Sequence, residues 1–270
     1  MLNISGLTIE HKSTPLVKNI TLAVGKGEWH AIAGESGSGK SLSSLAIGGL
    51  LSETLTVTGG AIHFQGVNLL SVSKSSLRKI RGKEISYIFQ DYQGSFTPFL
   101  TIGTQFDEML REHTVLLKKE RYSLAVAALE EVGLSGQEVF HRYSFQLSGG
   151  QVQRAAIALG MILKPKLIIA DEPTTALDSV TAASILTLLK QQQKKTNCSV
   201  MFITHDLRLV KKYSNFVTIM QNGEVVEQGK PGDVLTRPKH DYTKHLISAI
   251  PPLIPNPPRR LTVEHAAEVR

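Results

Sequence analysis

Eight consecutive residues, Gly34-Glu35-Ser36-Gly37-Ser38-Gly39-Lys40-Ser41, constrain this chain more than any other stretch. The apolar run Trp29–Ala33 precedes them and the helix-competent Leu42–Leu51 follows. The spacing fits G-x-x-x-x-G-K-[ST] set between a strand and a helix, the pattern of a phosphate-binding loop. Its glycines let the backbone curl so that successive N–H groups converge on phosphate oxygens, while the following helix turns the positive end of its dipole to the same anion. Lys40 then reaches the β- and γ-phosphates, and the Ser41 hydroxyl is a ligand for Mg²⁺. A chain with such a loop needs a buried strand ending at it and a helix leaving it, which is an α/β core.

The rest of the pattern builds that core. Leu2–Glu10 and Leu16–Val24 alternate apolar and polar residues as antiparallel strands do, and Ala61–Gln65, opened by Gly59-Gly60, reads as a short strand. Glu84–Gln90 is a strand ending in glutamine. From Thr101 to about Gln146 the spacing becomes helical, so a helical subdomain, about 91–163, is expected as an insert in one ATPase-sized unit spanning 1–250. Leu147-Ser148-Gly149-Gly150-Gln151 is a small-residue turn launching a helix over Val152–Leu163. Leu167–Ala170 is a continuous apolar run, the profile of a strand buried on both faces, and it ends in Asp171-Glu172. Strands and helices then alternate to Met220, which predicts a mainly parallel sheet with ligands beyond the strands' carboxyl ends. Five of the eleven prolines fall in Pro251–Pro258, so 251–270 is expected to be an extended or mobile tail.

Function classes narrow from the same residues. A strand-end carboxylate pair beside a phosphate loop supplies what nucleoside triphosphate hydrolysis needs, a metal holder (Asp171) and a group that activates water (Glu172). The net charge of +7 is scattered in short groups such as Lys118-Lys119 and Lys211-Lys212, with no zinc-finger or long basic-helix pattern, so no nucleic-acid partner is expected. No run reaches the roughly 18 apolar residues of a membrane span, and the N-terminus lacks a signal-peptide pattern. The expectation is an intracellular chain that docks on membrane proteins. The single cysteine, Cys198, excludes an internal disulfide or a cysteine metal cluster.

Taken together the motifs resemble the ATP-binding cassette family, in family order over nearly the whole chain. They are the Walker A loop Gly34–Ser41, the Q-loop glutamine Gln90, the signature Leu147–Gln151, the Walker B strand Leu167–Glu172, the D-loop Ala176-Leu177-Asp178 and the switch histidine His205. The resemblance implies the P-loop ATPase fold of that family: a mainly parallel core sheet with an antiparallel β subdomain and an inserted helical subdomain. It implies ATP and Mg²⁺ as ligands, with Ser41, Asp171 and Gln90 toward the metal, Glu172 polarising the attacking water and His205 at the γ-phosphate. It also implies a head-to-tail dimer in which Ser148, Gly149, Gly150 and Gln151 of one cassette, with Asp178 nearby, complete the ATP site of the other. One departure stands out: the position where the family usually stacks an aromatic on adenine falls on or next to His11, with no Tyr, Trp or Phe nearby.

GESGSGKS, IFQD, LTIG, VVEQG and HDYTKHLISAIPP are similar to the ATPases of bacterial oligopeptide, dipeptide and nickel importers. That implies a second ATPase chain, two integral membrane permease subunits docking near Gln90–Glu112 and an extracytoplasmic solute-binding protein, at the cytoplasmic face of the membrane. An export ATPase shares every catalytic motif and remains an alternative, as does a soluble cassette ATPase acting on ribosomes or DNA, although those join two cassettes or insert a coiled coil.

Overall fold

The computed structural model describes residues 1–91, 94–175 and 177–250. The proline-rich tail expected at 251–270 lies outside them, as does Ala176 of the D-loop.

The chain opens with an antiparallel layer. Strands β1 (Leu2–His11) and β2 (Thr14–Val24) form a hairpin through Lys12 and Ser13, both with positive φ, and β1 also pairs with β4 (Leu55–Phe64). Between them run β3 (Trp29–Ala33) and helix α1 (Lys40–Ile47); β5 (Val67–Asn68) and α2 (Lys74–Ile80) follow. In β1 the buried residues are Leu2 and Ile4, then Leu7 and Ile9, a one-residue slip in the period of two. The slip coincides with a shift in register on both sides of Gly6, whose φ is +63°, and Gly60 of β4 sits opposite it with φ +92°. A Cβ on Gly60 would lie 2.5 Å from the Gly6 carbonyl carbon. The Gly59-Gly60 pair is therefore a bulge inside a ten-residue strand, not the opening of the short strand expected at Ala61.

The second sheet is the core. It contains β6 (Ile85–Ile88), β7 (Leu167–Asp171), β8 (Ser199–Thr204), β9 (Phe216–Gln221) and β10 (Glu224–Gly229), together with β3. Their order is β10-β9-β3-β8-β7-β6, parallel from β9 to β6, with β10 antiparallel at the edge. Every residue of β3, β7 and β8 is buried, because both faces of the sheet are covered. Trp29 anchors one face, edge-on to Phe202 at 5.7 Å and stacked on Tyr213 at 6.0 Å.

Between β6 and β7 lies the helical insert: α3 (Ile102–His113), α4 (Lys118–Glu131), α5 (Gly136–Phe140) and α6 (Gly149–Met161). Phe106, Leu110, Ala125 and Leu129 are fully buried at its centre. Helix α6 starts three residues before the expected Val152 because Ser148 and Gln151 form a capping box, each side chain bonding the other's amide. Helices α7 (Ser179–Thr196), α8 (Leu207–Tyr213), α9 (Pro231–Thr236) and α10 (Asp241–Ser248) are the remaining helices among the described residues. Among the described residues no helix is long and apolar enough to cross a membrane.

Candidate functional site

The fold brings the C-terminal ends of β3, β6, β7 and β8 to one edge, as the parallel order requires. There, Glu35, Ser36, Gly37, Gly39, Lys40, Ser41, Gln90, Glu172 and His205 line a single cleft of about 570 Å³. Three separate stretches of sequence after the loop itself thus contribute to one wall: the end of β6, the turn after β7 and the turn after β8.

The loop between β3 and α1 is held open by backbone geometry. Gly37 and Gly39 take φ +80° and +96°, and Gly39 is the cap of α1 with no side chain bonded to the helix amides. A Cβ on Gly34 would meet the Met220 carbonyl oxygen at 2.1 Å, so β9 approaches this loop too closely for any side chain there. Lys40 turns back inside the curl: its ammonium donates to the carbonyls of Gly34 at 2.9 Å and Glu35 at 2.6 Å and to the Ser38 hydroxyl at 3.2 Å. Burial lowers its pKa, against the opposing charges of Glu172, Asp171 and Glu35. It is a cation with little water around it, placed where an anion gains most from it.

Asp171 ends β7 and is buried. Burial raises its pKa; the nearby Ser41 hydroxyl works against that, the Glu172 charge adds to it and Lys40 offsets it. Its Oδ1 is buried with no donor among the described residues. An orphaned carboxylate oxygen next to a serine hydroxyl is a hard-oxygen pair that suits Mg²⁺.

Glu172 leaves the strand at once. Its φ is +45°, uncommon for a residue with a side chain, although its amide still donates to the Ile203 carbonyl at 3.0 Å. That turn, rather than simple strand alternation, aims the carboxylate into the cleft. Oε1 lies 3.2 Å from Nδ1 of His205 and Oε2 accepts from the Thr175 hydroxyl at 2.8 Å, so both oxygens are oriented. The imidazole is more than half exposed, whereas the Glu172 side chain is only 16% exposed. A fixed carboxylate on the rim of a cleft, opposite a buried cation, can polarise a water molecule there.

Gln90 lines both this cleft and a groove of about 1040 Å³ between β6, α3 and α6, whose walls include Tyr87, Phe89, Phe96 and Met109. Other expected residues stand apart. Ser148, Gly149, Gly150 and Gln151 begin α6 and do not line the cleft. The Ser148 amide is already bonded to Gln151, and among the described residues the glycine N–H groups of that turn have no acceptor. Asp178 caps α7, accepting from the amides of Val180 and Thr181, both at 3.0 Å. His11 ends β1, paired with Thr14, and is not among the cleft's lining residues. The same hairpin instead packs Val17 behind the loop, where a Cβ on Gly39 would come within 3.2 Å of it.

Three contributors escaped sequence reasoning. Thr175 orients Glu172, Gln153 ties α6 to the Pro173 carbonyl at 2.8 Å, and the Tyr242 hydroxyl accepts the Glu35 amide at 2.9 Å. Nothing in their local patterns distinguishes them from ordinary helix and turn residues.

With this geometry in view, the comparisons with known proteins are specific. The family model described as ABC transporter matches residues 17–175. The metal-staphylopine import system ATP-binding protein of Staphylococcus aureus is 41% identical over 251 residues, 92% of each chain. The oligopeptide transport ATP-binding protein AppD of Bacillus subtilis is 42% identical over 88% of this chain and 73% of its own. Among solved structures, the cassette MJ0796, a dimer in a post-hydrolysis state bound to ADP and phosphate, superposes with a TM-score of 0.76. It is 30% identical and covers 86% of this chain and 99% of its own.

Proposed function

The chain belongs to the ABC transporter family, as an ATP-hydrolysing subunit, and from that premise we propose how its residues work, with which partners and on what cargo. The amides of Ser36, Gly37 and Gly39 in the loop cradle the phosphates, and Lys40 exchanges its carbonyl partners for β- and γ-phosphate oxygens. Ser41 and Asp171, with Gln90 beside them, would hold Mg²⁺, which when bound would neutralise phosphate charge. Glu172, fixed by Thr175, orients and polarises the attacking water. His205, in contact with Glu172, meets the γ-phosphate. Positioning and charge stabilisation supply most of the rate.

One observation carries the reading. Lys40, Ser41, Gln90, Glu172 and His205 line one cleft, while the signature turn at Ser148–Gln151 does not line it and, among the described residues, its glycine amides have no acceptor. The cleft is then one half of a site, completed by the signature of a second cassette. The dimeric state of the matching cassette supports that arrangement.

The unit 1–250, with its helical insert, sits at the cytoplasmic face beneath two permease subunits, fed from outside by a solute-binding protein. The groove beside Gln90 receives the permease, so that motion there reaches the cleft through this one side chain. The cargo class is a small peptide or a metal chelate, after the import systems of the relatives. Purification of the tagged full chain from gently solubilised membranes tests this. Co-recovery of two permeases and a cassette partner is expected; recovery without any membrane protein would contradict it.

A further inference from the structure

We infer that Tyr242 is a positioning residue for the phosphate loop, through which the seating of α10 sets the affinity for ATP. This rests on the reading of Gly34–Ser41 as the ATP cradle. The phenol oxygen accepts the Glu35 amide at 2.9 Å across 207 residues of sequence, and Tyr242 is only 8% exposed. The Glu35 carbonyl, in turn, accepts the Lys40 ammonium at 2.6 Å. A single loop residue is thus held on its N–H side by α10 and on its C=O side by the lysine.

The helix is itself fixed where it begins. The Glu227 carboxylate of β10 accepts the amides of Lys239 at 3.0 Å and His240 at 3.1 Å, and His240 Nδ1 accepts the Tyr242 amide at 3.2 Å. Tyr242 packs in the same core as Val234 and Tyr213. Packing alone would be served equally by phenylalanine. The hydroxyl differs from it by one acceptor, and that acceptor is spent on a partly buried amide that would otherwise lack one. Because the loop must present its amides in one arrangement to bind phosphate, loosening Glu35 adds an ordering cost to binding. The coupling is reciprocal: whatever α10 contributes to nucleotide affinity, nucleotide returns to the seating of α10.

The test uses the full chain, with a fluorescent ATP analogue for affinity and steady-state ATP hydrolysis for KM and kcat. Loss of one hydrogen bond to the backbone in Tyr242→Phe should raise Kd and KM by about three- to tenfold. Turnover at saturation should stay within about twofold, and the melting temperature without nucleotide within about 4 °C of wild type. Glu227→Ala, remote from the loop, should shift Kd in the same direction. In the wild-type chain, ATP should slow hydrogen exchange across Asp241–Ser248. Unchanged Kd in Tyr242→Phe, a fall in kcat at unchanged KM, or exchange in α10 indifferent to ATP would each overturn the proposal. Failure of the wild-type chain to bind the analogue would instead overturn the reading of the cradle, and this proposal with it.

Discussion

Lys40 shows how much of a site one residue can report. Its ammonium has three oxygen partners within its own loop, and burial has already lowered its pKa, so desolvation is met in the fold rather than at binding. In the proposed reading, the contacts it makes with loop carbonyls mark the place where phosphate oxygens bind. Replacing it by alanine should weaken ATP binding by about 10- to 100-fold, the value of a hydrogen-bonded charge, as read by titration with a fluorescent analogue. Normal affinity would mean that the loop amides suffice. At this scale the sequence is informative where chemistry dictates type and spacing, as in Gly37, Lys40, Ser41, Asp171 and Glu172. It is silent where the partner is distant. The positive φ of Glu172, its contact with His205 at 3.2 Å and the reach of Tyr242 to Glu35 depend on the packing of whole elements.

The elements show the same division. Fully buried β3, β7 and β8 are legible because continuous apolar runs suit only a sheet covered on both faces. The long β4 is not, since Gly59-Gly60 looks like punctuation until Gly6 is found opposite, and only the pair explains the slip in β1. In the helical insert, Arg121 of α4 donates to Asp107 of α3 through Nε at 2.6 Å and Nη2 at 3.4 Å, and through Nη1 to the Leu116 carbonyl at 2.7 Å. The hydrogen bond from Arg121 holds the Asp107 carboxyl below its ordinary value of 3.8. A depressed carboxylate contributes stability above its unfolded pKa and loses it as pH falls through the folded one. Asp107→Asn should therefore cost about 1 kcal/mol near neutral pH, after allowance for solvent screening. The difference should vanish as pH falls below 3.8, as followed by thermal unfolding of both proteins across that range. A gap independent of pH would show that the pair contributes only its shape.

At the scale of the molecule, sheet order decides what can meet. Placing β3 between β8 and β9, and β7 next to β8, gathers the phosphate loop, Glu172 and His205 at one edge. The signature turn starts α6 and does not line that cleft. In the proposed reading one chain carries two complementary halves of an ATP site that do not meet within it, in keeping with the dimeric state of its structural relative. Sequence resemblance gives the motifs in order, but only the fold shows which of them share a wall. The central claim, that Glu172 activates water in a site shared between two cassettes, is tested most directly by ATP hydrolysis in Glu172→Gln within the assembled complex. Hydrolysis should slow by about 10²- to 10⁴-fold, or roughly 3 to 5 kcal/mol of barrier, while ATP stays bound and the dimer persists. Turnover at the wild-type rate would contradict the account.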